Sequence, residues 1–191
     1  MGLKWVRLTV LMLAGAVWIV TDTGVGAQVR SNDPNIVMMD NCSPDDPGYD
    51  DLGGCPEGSP RGAAGYTGDV PLAELLELLT SPLAPGHVIG HPSWRNQPSY
   101  ITVRSGQRVR VTNRGGRVHT FTKVEDFGGG FVPLLNETMT PAPECGENFT
   151  PAPGVVFVPL NDTQVLPAMD PGLHKFQCCI HPWMRAAVRV E

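Results

Sequence analysis

A thiol, an imidazole and a thioether fall within seven residues of this 191-residue chain: Cys178, His181 and Met184, in Phe176-Gln177-Cys178-Cys179-Ile180-His181-Pro182-Trp183-Met184. Soft sulfur combined with imidazole selects copper over hard cations. Two histidines, one cysteine and a weak axial methionine form a mononuclear copper set. Zinc would want more thiolate or histidine and has no use for the methionine. Three donors on one tight loop need a fourth from elsewhere, and His119, in Val118-His119-Thr120-Phe121-Thr122, supplies it. The remaining histidines, His87, His91 and His174, are too few for a trinuclear oxidase centre. His174, four residues along a strand from Cys178, lies roughly 13 Å from it, too far to ligate. Electron chemistry without enzymatic turnover is the expectation.

These donors need strands to hold them. Tyr100 to Arg104, Arg108 to Thr112, Val118 to Thr122, Val155 to Leu160, Leu173 to Cys179 and Arg185 to Val190 read as short strands divided by Gly/Pro turns, which predicts a β-sandwich. Before them, Leu72, Leu75, Leu76 and Leu79 recur at helical spacing after Asp69 as N-cap and Pro71 in the first turn, so 70–80 is expected to be one amphipathic helix. Ser81-Pro82 and Pro85-Gly86 end it. Residues 28–68 are rich in Pro, Gly and Asp. Their acids (Asp33, Asp40, Asp45, Asp46, Asp50, Asp51 and Glu57) outnumber Arg30 and Arg61, as in a solvated, irregular acidic arm. Gly128-Gly129-Gly130 lacks the Gly-Lys-Ser/Thr that would make it a phosphate loop.

Cys178, His181, Pro182, Met184 and Arg185 resemble the short C-terminal copper loop of the cupredoxins, nearest to their plastocyanin- and amicyanin-like branch. Ile101-Thr102-Val103, a glycine turn, Val109-Arg110-Val111-Thr112-Asn113 and then His119 are similar to the upstream pattern of that family. The resemblance covers roughly 96–191. It implies an all-β, cupredoxin-like Greek-key β-sandwich with an N-terminal irregular arm and one short α-helix. It also implies one type 1 (blue) copper per chain, carrying single electrons between redox partners. Where that branch has an Asn lacing the two ligand loops, Thr120 stands here. Pro182 and Trp183 would frame His181 in an apolar patch on which a redox protein docks. A copper carrier or chaperone that exchanges metal would use the same donors, and a structural module without metal is the third reading.

The family's loop spacing makes Cys178, not Cys179, the thiolate. Strand parity agrees: His174, Phe176 and Cys178 share one face, and Cys179 points to the other. Lys4 and Arg7, the apolar run Leu8 to Val20, and Val25-Gly26-Ala27 read as a secretory signal over 1–27, so a periplasmic or secreted location follows, with no membrane span after cleavage. In such a compartment cysteines pair. With Cys178 a ligand, Cys42 with Cys55 and Cys145 with Cys179 can form two bridges, the first contributing about 3 kcal/mol in the chain-entropy model. The domain plan is then 1–27 signal, 28–68 arm, 69–95 helix and linker, and 96–191 copper-binding domain. A formal charge of -5 without a basic cluster argues against nucleic acid as a partner. The expected state is a monomer.

Overall fold

The computed structural model describes residues 32–41, 43, 45–52, 70–80, 94–136 and 138–191. The signal segment, Cys42, Cys55, Asp69, the turns after the helix, His87 and His91 lie outside the described residues.

In chain order the elements are β1 (Asn35–Met39), α1 (Leu72–Thr80), β2 (Arg95–Gln97), β3 (Tyr100–Val103), β4 (Val109–Asn113), β5 (His119–Thr120), β6 (Thr122–Val124), β7 (Gly146–Glu147), β8 (Thr150–Pro151), β9 (Phe157–Val158), β10 (Thr163–Leu166), β11 (Gly172–Gln177) and β12 (Arg185–Val190). Two four-stranded sheets, β10-β4-β1-β2 and β3-β12-β11-β6, form an all-β sandwich, with β5-β9 and β7-β8 as short pairs beside them. The period-two pattern explains the layers. On β12, Ala186, Val188 and Val190 turn inward while their neighbours are half-buried. On β4, Val109 and Val111 are fully buried. These meet Ile36, Met38, Val103 and Phe176 in one core, where Phe121 stacks on Phe176 at 4.8 Å.

The acidic segment departs from expectation. Asn35–Met39 is an interior strand, parallel to β4 (Ile36↔Val111) and antiparallel to β2 (Met38↔Asn96). Ile36 and Met38 are 0% exposed, and each contributes about 1.5–3 kcal/mol of burial. Five residues between Pro34 and Asp40 are too short to announce a period, and their Pro/Asp surroundings look like a loop. Two of the acids expected to be solvated are also structural. Asp40 is buried, and Asp46 accepts hydrogen bonds from the backbone N–H of Gly48 (2.8 Å) and of Leu72 (2.7 Å), capping α1 from a distant segment. Those bonds hold the Asp46 carboxyl below its ordinary range.

Other elements differ in extent. The strand expected over Val118–Thr122 is broken at Phe121, whose N–H donates to Val156 O (2.8 Å): β5 pairs with β9, and β6 joins β11 in the second sheet. Val155–Leu160 shortens to β9. Strand β10 gave no signal because it is an edge strand whose four residues are all half-buried, without alternation. No helix among the described residues is long and apolar enough to cross a membrane.

Candidate metal centre

Strands β11 and β12 form an antiparallel hairpin whose last pair is Gln177↔Arg185. Residues 178–184 are therefore its connection, and the seven-residue donor spacing is the length of a hairpin loop. Cys178 N–H donates to Met184 O (2.9 Å), and Met184 N–H donates to His181 O (2.9 Å). Asn96 Nδ2 also donates to Met184 O (3.0 Å), tying the loop to β2. Arg185 donates through Nε to Pro182 O (2.9 Å) while its guanidinium lies over the Phe127 ring at 5.1 Å.

His119 comes from β5, beyond the 113–117 turn. Asn113 folds that turn: its Nδ2 donates to Arg117 O (2.7 Å) and Val158 O (2.9 Å), and its Oδ1 accepts from Gly115 N–H (2.9 Å). The ring of His119 is delivered against the hairpin loop. Nδ1 of His119 lies 3.1 Å from Nδ1 of His181, and the Cys178 Sγ lies 3.8 and 3.7 Å from the two. A point in the plane of that triangle stands about 2.1 Å from all three atoms, matching metal–imidazole and metal–thiolate bonds of ~2.0–2.3 Å. All three residues are buried. The donor set and its spacing fit one metal ion of the size and softness of copper. Met184 is also fully buried, in the same core cluster as Cys178. His174 stands apart from the cluster, with Nε2 2.7 Å from Asp170 O.

The two neighbouring cysteines part company as parity predicts. Cys178 is the free cysteine among the described residues, and Cys179 is bonded to Cys145. Thr120 takes the lacing role. Its Oγ1 accepts from Cys179 N–H (2.6 Å) and its own N–H donates to Cys178 Sγ (3.3 Å), so one residue holds both loops.

Electrostatics polarise the site. Burial opposes the Cys178 thiolate, but the two imidazoles beside it win and bring the thiol well below its ordinary value. Burial likewise pushes the His119 ring down, and the Asp40 carboxylate with the Cys178 thiolate raises it to about 9. For His181 burial dominates and lowers the ring. Asp40 is held below the ordinary carboxylate range, against its burial, by His119.

The expected surface around His181 needs correction. His181 and Trp183 are each 4% exposed, and Pro182 is buried too. Trp94 meets the His181 ring edge-on at 5.2 Å, and Tyr49 stacks behind Trp94 at 6.3 Å. This roof comes from segments N-terminal to the expected copper domain, which is why the loop residues alone misplace it. His181 instead lies at the wall of an apolar groove of about 310 Å³, shared with Leu76, Leu134 and Phe149, which are 45%, 81% and 65% exposed. Asp40 and Trp94 carry no spacing signal in the sequence. They are recognisable only once β1 and β2 flank the site.

No family model matches the chain, and no curated protein matches it. Solved structures similar in fold include a purple cupredoxin from Nitrosopumilus maritimus, 12% identical, covering 83% of this chain and 100% of that one, with a TM-score of 0.40. An amicyanin variant in the Cu(I) state is 21% identical over 51% of this chain and 73% of its own, with a TM-score of 0.35. A copper-containing nitrite reductase from Thermus scotoductus is 19% identical over 51% of this chain and 20% of its own, with a TM-score of 0.33. At such identities only the chain's own residues speak to its chemistry.

Proposed function

We propose that this chain is an exported electron carrier that holds one mononuclear copper between His119, Cys178, His181 and Met184. The observation that carries this reading is the buried triangle of two imidazole nitrogens and one thiol sulfur, sized for a single metal ion. Copper bound there supplies a one-electron couple, Cu(I)/Cu(II). The protein's part is to keep the donors still. Cys178 is held by two backbone N–H groups, from Thr120 and from His181 (3.4 Å), which stabilise the thiolate. His119 is fixed in its strand, and His181 is packed against both Trp94 and Trp183. Donors that cannot rearrange suit both oxidation states alike, so little reorganisation accompanies transfer. Met184, buried in the same core cluster as Cys178, would supply the weak fourth donor.

Burial favours the electron carrier over a metal-exchanging chaperone, because ligands that hand over metal must be reached by another protein's ligands. Electrons need only a short path, and His181 provides one at the wall of the apolar groove. A redox protein seating on Leu76, Leu134 and Phe149 would make the small, transient contact typical of such encounters.

Adding Cu(II) to the metal-free protein is expected to give an intense visible sulfur-to-copper absorption band that bleaches reversibly with one electron per chain. Copper bound without that band, or without reversible reduction, would sink the electron-carrier reading.

A further inference from the structure

We infer that Asp40, from the acidic segment, is the positioning residue for His119 and sets both the orientation of that ring and the charge felt at the metal. The inference rests on the copper reading above.

Asp40 follows β1 directly and is 1% exposed. Its Oδ2 lies 2.8 Å from Nε2 of His119, both side chains being fully buried. Its Oδ1 accepts from Gly116 N–H. The 113–117 turn is shaped around this carboxylate: a Cβ on Gly115 would come within 2.7 Å of Asp40 Cγ and 2.8 Å of its backbone nitrogen. Arg114 N–H also donates to Met38 O (2.9 Å), clamping the turn to the end of β1. A buried carboxylate is costly unless paired and hydrogen-bonded. Here the Gly116 N–H in the turn that delivers His119 hydrogen-bonds Oδ1, and the ring meets Oδ2 in a 2.8 Å ion contact.

The consequence is a fixed tautomer. With Nε2 carrying its proton toward Asp40, the lone pair of Nδ1 faces Cys178 and His181, where the metal belongs. A carboxylate behind a ligating histidine orients the ring and raises its basicity. It also places a full negative charge one ring away from the metal, which favours Cu(II) over Cu(I) and lowers the reduction potential.

The test compares wild type, Asp40→Asn, Asp40→Ala and the control Asp46→Asn, each loaded with copper. Copper affinity is read by chelator competition, the potential by redox titration and the site by its visible band. Both Asp40 variants are expected to bind Cu(II) about 10–100-fold more weakly, the range for such outer partners, with a raised potential and a shifted band. Asp46→Asn leaves one acceptor oxygen for the backbone N–H groups of Gly48 and Leu72 and should lower the melting temperature with no change in potential or band. An Asp40→Asn protein matching wild type in affinity, potential and band overturns the inference and leaves the copper reading standing. Wild type without the band overturns the copper reading, and this inference with it. Should neither Asp40 variant fold, nitrogen-15 NMR of the wild-type Cu(I) protein decides. A strongly downfield, slowly exchanging Nε2 proton on His119 supports the pairing, and an ordinary, freely exchanging one overturns it.

Discussion

The hairpin loop that carries the candidate donors has two sides, and they are built by different means. On the Cys178 side lies the main sandwich core, made of regular strands whose alternate residues, such as Val109, Val111, Val188 and Val190, point inward. On the Cys179 side lies a small core of Val124, Phe131, Ala142, Cys145 and Cys179, made almost without strands. Close backbone approach does the work there. Phe131 N–H donates to Cys179 O (2.9 Å), and a Cβ on Gly130 would run into that same carbonyl. The side chain of Gln177 bonds the backbone of Gly128 and Gly129, and that of Asn136 bonds Gly130 through both its amide atoms. Repetitive packing makes one wall of the site, and individual hydrogen bonds with one disulfide make the other. The first wall holds the chemistry, and the second holds the loop that presents it.

The sharpest way to break this comparison is to remove each cysteine function separately. Cys178→Ser is expected to abolish the visible copper band. The double replacement Cys145→Ser with Cys179→Ser is expected to keep the band while costing about 2–4 kcal/mol by urea unfolding, the usual contribution of a disulfide. A double variant that is stable but colourless would reverse the assignment of the two sides.

Met38→Ala probes whether the first wall reaches into the acidic segment. Met38 is 0% exposed within the main core, so its truncation should cost about 2–5 kcal/mol in denaturant unfolding. A solvated arm would register no change.

Thr120→Val asks how the two sides are joined. It leaves the Cys179 N–H, now bonded at 2.6 Å, without an acceptor in a buried place, at about 1–3 kcal/mol. The copper band should persist, since the N–H of residue 120 still reaches Cys178 Sγ. Loss of the band with unchanged stability would show that the hydroxyl belongs to the metal side.

The smallest expected effect is a single titration. Cys178 has its pKa lowered from a reference of 9.0, against burial, by His119 and His181. Its ionisation therefore stabilises the metal-free fold fully above that reference, and the contribution is lost as pH falls through the lowered value. Ultraviolet thiolate absorbance, with Cys178→Ser as blank, should persist to lower pH than that of an ordinary thiol. Absorbance that vanishes in the range of a free thiol would remove the electrostatic link between the sulfur and the rings.

What could be seen in the sequence divides along the same line as the two walls. Strands β3, β4, β11 and β12 repeat one inward residue in two, and a repeat survives without coordinates. The donor loop was legible because its residue types are rare together and its spacing is that of a hairpin connection. Thr120 was legible as a position, and its hydroxyl reproduces the lacing expected of an Asn. The roof over His181 was not, since Trp94 and Tyr49 are brought there by β2 and by a short 3-10 turn at Pro47–Leu52, far from the loop in sequence. Asp40 looks like any other acid in an acidic stretch until β1 sets it behind His119. The Gly128-Gly129-Gly130 run was readable only by exclusion. The role of Gly130, letting its backbone approach the Cys179 carbonyl, depends on a partner far along the chain.

The distribution of donors along the chain bears on how a metal would act during folding. Cys178, His181 and Met184 share one loop, whereas His119 lies 59 positions before Cys178. An unfolded chain therefore keeps a partial chelate, and a ligand that also binds the unfolded state stabilises the fold by less than its full affinity. What copper would add to stability is the increment gained by recruiting His119. In that respect the ion would act as a clasp between β5 and the hairpin, closing a long segment much as a cross-link does.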